Sequence, residues 1–262
     1  MRRILSYTAL FLSMVISPAL AQVSADVHVE TLEIGTSTNQ IAITSDFSGA
    51  DLTVFGAVNE ADPELLDQGA YDIVVILEGP KAEADVRRKE RVFGIWVNRE
   101  TMSFEHVPRS YSISSTRPLD EITSPQVLAS LGIGVSHLRI SPVGFFDASD
   151  LATFRDAMLR LNDVHGNYVS EPEGVKFVSN SLFRASLRLS VNIPEGTHTV
   201  QAYLFKNGQQ IAAQNLPLDV VKTGLEAQIT TAAHEQPLFY GLSAVMIALL
   251  SGYIASVVFR KS

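Results

Sequence analysis

The feature that most constrains this chain is an uncharged apolar stretch near its end, from Leu238 to Phe259. About 20 apolar residues suffice for a helix to cross a hydrocarbon core of about 30 Å. Tyr240 lies near one end of the stretch, and Arg260 and Lys261 follow the other, as expected at membrane interfaces. A buried core helix is the alternative, but the stretch lacks the polar stripe that such a helix usually carries. We therefore predict a transmembrane helix at residues 238–259.

The first 21 residues have the pattern of a secretory signal peptide. Arg2 and Arg3 precede an apolar run, and Ala19–Ala21 forms an A-x-A cleavage site, so the mature chain is expected to begin at Gln22. The basic pair after the apolar stretch favours the cytoplasmic side. We expect a single-pass protein of the bacterial inner membrane, with the bulk of the chain in the periplasm and residues 260–262 in the cytoplasm.

The exported part is acidic and contains no cysteine. Without the four terminal basic residues, 16 Lys and Arg remain against 28 Asp and Glu. This balance argues against nucleic acid and against anionic lipid surfaces as partners. Because disulfides are impossible, the fold must depend on a hydrophobic core.

Alternating apolar residues predict a mainly β fold. Tyr71–Leu77 reads as a buried strand, and Phe183–Val191 alternates as a half-exposed one. Asn207-Gly208 is a strong hairpin signal. Another hairpin is expected from Ala84–Arg88 to Arg91–Asn98, with its turn at Lys89-Glu90. We predict one or two immunoglobulin-like β-sandwiches in residues 22–116 and 169–226, the second range being a continuation or a second sandwich.

Residues 117–168 interrupt the strands with a helical insertion. Ser124-Pro125 begins a short helix that Gly132 ends. A longer helix follows, which Asp147 or Ser149 can cap. One of its faces carries four apolar residues at helical spacing: Leu151, Phe154, Met158 and Leu161. Asp62-Pro63 begins either one further turn of helix or a loop, and residues 227–237 read as a stalk.

No motif identifies a catalytic site, a cofactor or a metal. The histidines lack metal-ligand neighbours at short spacing, and the chain has no thiolates. Gly134-Val135-Ser136-His137 fails the G-x-S-x-G pattern at its final glycine. We therefore expect a protein that is not an enzyme.

One basic cluster stands out from the acidic background. Arg87, Arg88 and Arg91 lie on the expected hairpin, with Trp96 and Asn98 on its return strand. These five residues are the candidate site for a small anion or an acidic partner. The alternative is a solvated turn whose charges prevent edge pairing.

Six stretches of the chain resemble an uncharacterised family of alphaproteobacterial transmembrane proteins. They are Ser45–Gly56, Gly94–Asn98, Ser110–Pro118, Ser181–Leu189, Val220–Glu226 and Ser256–Lys261. These motifs carry no assigned chemistry. The resemblance implies an accessory role beside sulfite-exporter-like permeases.

Two functions lead, and a hydrolase built from residues scattered along the chain is a third class that the sequence leaves open. The first is a membrane-anchored accessory or interaction protein, with an inner-membrane permease as partner. The second is a periplasmic sensor or binder of a small anion through the Arg87–Arg91 tip. Small residues at Ala248-x-x-x-Gly252 and Ser251-x-x-x-Ala255 also allow a homo-oligomer through the membrane helix.

Overall fold

The structure is a computed structural model that describes residues 30–144 and 147–259. The predicted signal peptide and cytoplasmic tail lie outside the described residues. The strands are β1 (Thr31–Thr36), β2 (Gln40–Ile43), β3 (Ala50–Asn59), β4 (Tyr71–Glu78), β5 (Lys81–Val92), β6 (Ile95–Pro108), β7 (Tyr111–Ser115), β8 (Ser141–Pro142), β9 (Tyr168–Glu171), β10 (Val175–Phe177), β11 (Leu182–Leu189), β12 (Gly196–Lys206) and β13 (Gln209–Lys222). The helices are α1 (Pro63–Asp67), α2 (Leu119–Ile122), α3 (Pro125–Leu131), α4 (Ala148–Val164), α5 (Leu225–Glu235) and α6 (Pro237–Phe259).

Two sheets form a β-sandwich around the main hydrophobic core. The first has the order β1-β3-β11-β10, and the second has the order β2-β13-β12-β4-β7-β9. Neighbouring strands are antiparallel except for the pairs β2–β13 and β7–β9. Inward-facing residues of both sheets meet in the core, among them Leu52, Val54, Phe183, Leu187, Val200 and Leu204. The predicted fold class, an immunoglobulin-like sandwich with a helical insertion and a C-terminal apolar helix, is confirmed.

Strands that precede the helical insertion in sequence pair with strands that follow it, within the same two sheets. Strand β3 pairs with β11 from Ala50–Leu189 to Ala57–Leu182, and β4 pairs with β12. Residues 169–222 therefore continue the sandwich that the earlier strands begin. The precise domain boundaries stay a prediction.

Strand β4 is buried on both faces, which explains its continuous apolar sequence. Its inward side chains, such as Ile73 and Val75, belong to the main core. Its outward side chains, Val74 and Ile76, join a second core beneath the helical insertion. Leu128 of α3 also packs there, so the insertion covers the outer face of the second sheet.

Local capping residues begin the short helices α1 and α3, and those of α3 were predicted from the sequence. The Asp62 side chain accepts a hydrogen bond from Glu64 N at the start of α1. Ser124 accepts from Val127 N at the start of α3, and Gly132 ends that helix with a φ of 73°. The hairpin turn at Asn207-Gly208 is likewise confirmed between β12 and β13.

A third sheet, β5-β6-β8, packs on α4 to form a separate small core. Phe154 and Met158 of α4 contribute their predicted face to this core. Leu161 does not: it is 46% exposed, so the four apolar residues of the predicted face are not all buried.

The predicted stalk and membrane helix are both helical. Helix α5 corresponds to the stalk, although it begins two residues before 227. Helix α6 contains the predicted span and is long and apolar enough to cross a membrane by length and composition. Its described side chains are exposed, as expected for a helix whose surroundings are lipid rather than protein.

Candidate functional site

The candidate site lies on a long hairpin, β5–β6, which we call the arm. The prediction of a turn at Lys89-Glu90 was wrong: both residues lie within β5, and the turn is Phe93-Gly94. Charged residues are common in turns, but a two-residue hairpin loop of type I′ requires positive φ at both positions. Phe93 and Gly94 have φ values of 49° and 84°. The glycine, rather than the charge pair, was therefore the usable signal.

The five candidate residues divide between the two faces of the arm. Side chains alternate along β5, so Arg87 and Arg91 share a face and Arg88 points to the other. Arg91 lies opposite Trp96, and Lys89 lies opposite Asn98, so these two β6 residues share the Arg87–Arg91 face. The arm therefore brings four of the five predicted residues together and separates Arg88 from them.

Arg88 connects the arm to α4. Its guanidinium lies 4.7 Å from the ring centroid of Phe154 and donates to Glu100 at 2.8 Å. A second nitrogen of Arg88 is 3.8 Å from Asp150. Arg88 therefore packs the arm against α4. Because two carboxylates already neutralise its charge, Arg88 is a poor ligand for an anion.

The other arginines of the arm are solvent-exposed. Arg87 is 3.6 Å from Asp85, and Arg91 Nε donates to the Gly94 carbonyl at 3.4 Å. On the strand opposite, Arg99 pairs with Glu90 at 3.2 Å. These contacts are long or exposed, and such contacts contribute little to stability.

The end of the arm is apolar and exposed, which the sequence reasoning missed. Phe93 is 101% exposed, and Ile95 and Trp96 are each 67% exposed. All residues of β6 from Ile95 to Thr101 are exposed. An exposed cluster of large apolar side chains marks an interaction surface more often than a scattered single residue does.

A serine and a histidine meet in the interior, 88 positions apart in sequence. Ser110 Oγ lies 3.1 Å from His198 Nε2, and His198 Nδ1 lies 3.1 Å from the Gly196 carbonyl. The carbonyl can only accept, so Nδ1 carries the proton and the serine hydroxyl donates to Nε2. Burial lowers the pKa of His198, whose exposure is 0%. Because the pair is enclosed and lacks a carboxylate partner, we interpret it as structural.

A surface cleft of about 530 Å³ lies above a buried ion pair. Asp72 is 3% exposed, and Arg117 donates from Nε at 2.9 Å and from a terminal nitrogen at 2.5 Å to its two oxygens. Thr116 adds a hydrogen bond at 2.8 Å. The hydrogen bonds that Arg117 donates to Asp72 raise the pKa of Arg117. Since Arg117 is neutralised and Asp67 also lines the cleft, the cleft does not favour an anion.

Metal binding has no support among residues 30–144 and 147–259. No group of three or more His, Asp and Glu side chains in these ranges could hold an ion.

Comparisons with known proteins place the chain in a family. No curated protein matches it. The crystal structure of AggA, the major subunit of aggregative adherence fimbriae type I from Escherichia coli, is similar over 73% of this chain and 94% of that chain. That similarity has 12% sequence identity and a TM-score of 0.23. The family model described as "Putative transmembrane protein (Alph_Pro_TM)" matches residues 31–261. Together with helix α6, this match supports membrane association, and the chain belongs to the Alph_Pro_TM family.

Proposed function

We propose that this protein is a non-enzymatic, membrane-anchored interaction protein that serves as an accessory subunit of another inner-membrane protein. A permease is the proposed partner, of the sulfite-exporter-like class that the resemblance implies. In this proposal the β-sandwich lies in the periplasm and the C-terminus in the cytoplasm. The predicted signal peptide and the basic pair Arg260-Lys261 support that orientation.

The observation that carries the proposal is the short helical connection between sandwich and membrane helix. Thr223 N donates to the Ile43 carbonyl at 2.9 Å, so the chain is tied to the second sheet just before α5 begins. Helix α5 has 11 residues and is therefore roughly 16 Å long. Only Gln236 separates it from α6.

The junction between the two helices keeps helical hydrogen bonding. Gln236 N donates to Ala232 O at 3.1 Å, and Tyr240 N donates to Gln236 O at 3.0 Å. A helical stalk is stiffer than a flexible linker of the same length. The sandwich is thereby held close to the bilayer surface, which raises its effective concentration near integral membrane proteins.

The alternative, an anion sensor, has weaker support from the arm. Arg87, Lys89 and Arg91 share a face, but they are exposed and spaced along one strand rather than converging on a point. A convergent, partly enclosed set of donors is the usual arrangement for selective anion binding. Its test is the melting temperature of the full chain in detergent with and without sulfite, since binding to the folded state raises that temperature.

The accessory proposal is tested by purification from native membranes. The full chain, tagged after Ser262, is solubilised in mild detergent, and co-purifying proteins are identified and quantified. We expect a polytopic permease at a fixed ratio. Absence of any partner at a fixed ratio would contradict the proposal.

Two variants separate the contribution of the membrane helix α6 from that of the short connection between the sandwich and this helix. The first replaces α6 by an unrelated apolar span of equal length. The second inserts about 20 Gly and Ser residues between Thr223 and Gly224, which lowers the effective concentration of the sandwich at the membrane. We expect recovery of the partner to fall in the second variant. Equal recovery with the long linker would show that the short stalk is irrelevant.

A further inference from the structure

The outer part of the arm extends beyond its support on α4. Arg88, which pairs across the strands with Glu100, contacts α4 at Phe154 and Asp150. We call residues 89–100 the distal arm. From Arg88 to the turn is five residues, which corresponds to about 16 Å of strand. The distal arm is therefore long enough to place its tip away from the sandwich surface.

The tip residue Phe93 occupies a backbone conformation that another residue type would adopt more easily. The chain contains a second two-residue turn, Asn207-Gly208, with φ values of 49° and 82°. These match the values of 49° and 84° at Phe93-Gly94. Asparagine is favoured at such a position, whereas a bulky residue at positive φ is strained. A strained and fully exposed phenylalanine points to a function for its side chain.

Charge on the distal arm is arranged behind the apolar tip. The distal arm contains three Lys and Arg and two Asp and Glu, and Arg87 adds an exposed cation just before it, although the whole chain has a net charge of −8. Arg91 lies opposite Trp96, about 7 Å behind the turn, and Lys89 lies about 7 Å further back. Both point to the face that carries Trp96, while Glu90 points away and pairs with Arg99.

We propose that the distal arm inserts its tip into the interfacial region of an anionic lipid bilayer. Phe93, Ile95 and Trp96 enter the boundary between headgroups and acyl chains, where aromatic side chains are favoured. Insertion by about 5–10 Å, the usual depth of interfacial anchors, brings Arg91 to the lipid phosphates. Lys89 then lies above them, within the negative surface potential.

The bilayer that holds α6 is the expected target. The helical stalk keeps the sandwich near that surface, so insertion is an intramolecular event that needs little affinity. The acidic sandwich as a whole repels anionic lipid, and the basic distal arm is the region where the sign reverses. This inference does not depend on the permease proposal, because lipid alone suffices for it.

Trp96 is the single tryptophan of the chain and therefore reports directly on the tip. The full chain is reconstituted by α6 into vesicles of phosphatidylcholine and phosphatidylglycerol, with or without brominated acyl chains. We expect blue-shifted Trp96 emission, quenching by the brominated lipid, and protection from aqueous iodide. Vesicles of phosphatidylcholine alone are expected to show weaker quenching. Added salt is expected to weaken the quenching in the anionic vesicles, because it screens the attraction between the basic residues and the lipid.

Two variants test the two parts of the tip. Phe93→Asn removes the apolar side chain and keeps the turn favourable, so loss of folding does not confuse the result. Because the variant loses the burial of one phenylalanine side chain, we expect the ratio of inserted to free tip to fall roughly ten- to hundredfold. A combined Arg87→Gln, Lys89→Gln and Arg91→Gln variant is expected to remove the preference for anionic lipid and to leave quenching in neutral vesicles unchanged.

The outcomes are distinct. Trp96 that stays accessible to iodide and unquenched by brominated lipid in anionic vesicles overturns the inference. Protection that arises only when a purified membrane-protein partner is added also overturns it, and assigns the tip to a protein contact. Loss of the partner in the purification experiment, with quenching retained, contradicts the proposed function and leaves the lipid contact standing.

Discussion

Replacement of Phe93 by asparagine is expected to stabilise the fold, although Phe93 is the larger and more apolar residue. Its side chain is 101% exposed, so its removal leaves no cavity and loses no buried area. Its φ of 49° lies in the left-handed region, which costs roughly 1–2 kcal/mol for most residue types and less for asparagine. We therefore expect the free energy of unfolding to rise by about 1 kcal/mol in the absence of lipid vesicles.

The reciprocal variant is the matched control. Asn207 has the same φ of 49° in the other two-residue turn and is also exposed. Asn207→Phe is expected to lower the free energy of unfolding by a similar amount, about 1 kcal/mol. The pair of variants therefore compares the same exchange of residues in two turns of equal geometry, with opposite expected signs.

The assay is thermal unfolding of the full chain in detergent, followed by circular dichroism. For a chain of this size, 1 kcal/mol corresponds to a shift in Tm of about 2–4 °C. The expected shifts are upward for Phe93→Asn and downward for Asn207→Phe. If Phe93→Asn is neutral or destabilising, then Phe93 makes contacts that stabilise the folded chain, and the argument from strain is wrong.

Three further predictions follow from buried and half-buried contacts. Arg117→Met leaves the buried carboxylate of Asp72 without its cation and is expected to cost about 2–3 kcal/mol in a chemical unfolding experiment, less than a fully enclosed pair because Arg117 is partly exposed. For His198, burial lowers the folded-state pKa, so below about pH 6.5 the unfolded state gains a proton that the folded state does not. As the pH decreases, the free energy of unfolding should then fall by about 1.4 kcal/mol per pH unit until the folded-state pKa is reached. His198→Gln should flatten this dependence between pH 7.5 and 5. Arg88→Met is expected to cost about 1 kcal/mol and to increase hydrogen exchange in α4, whereas the matched Arg87→Met, which removes one exposed contact, should leave both nearly unchanged.

Much of the fold could be predicted because the relevant signals are local. The cap at Ser124, the glycine at 132 and the Asn207-Gly208 turn act over two to four residues, and the structure contains each of them. The alternation in β11 likewise reflects one strand with one buried face. Membrane helix α6 needs only length and composition.

The candidate site could be predicted only in part. The basic cluster and Trp96 were recognisable by composition. Which of these side chains share a face of the arm depends on the strand register, and a turn predicted at the wrong residues implies the wrong register. Leu161 had the correct helical spacing and still lies outside the core, because burial also requires an opposing surface. The exposure of Phe93 follows from the position of the turn at Phe93-Gly94, which the sequence reasoning did not predict.

The sequence by itself determined that this chain has a membrane helix, a mainly β part before it and helices with defined ends, since these depend on residues adjacent along the chain. Only the tertiary structure decided that Asp72 meets Arg117 and that Ser110 meets His198. It also decided that β4 is buried on both faces and that Arg88 is withdrawn from the other basic residues of the arm. The physical reason is that these contacts join residues far apart in sequence, and sheet order and strand register, which local patterns do not specify, bring them together.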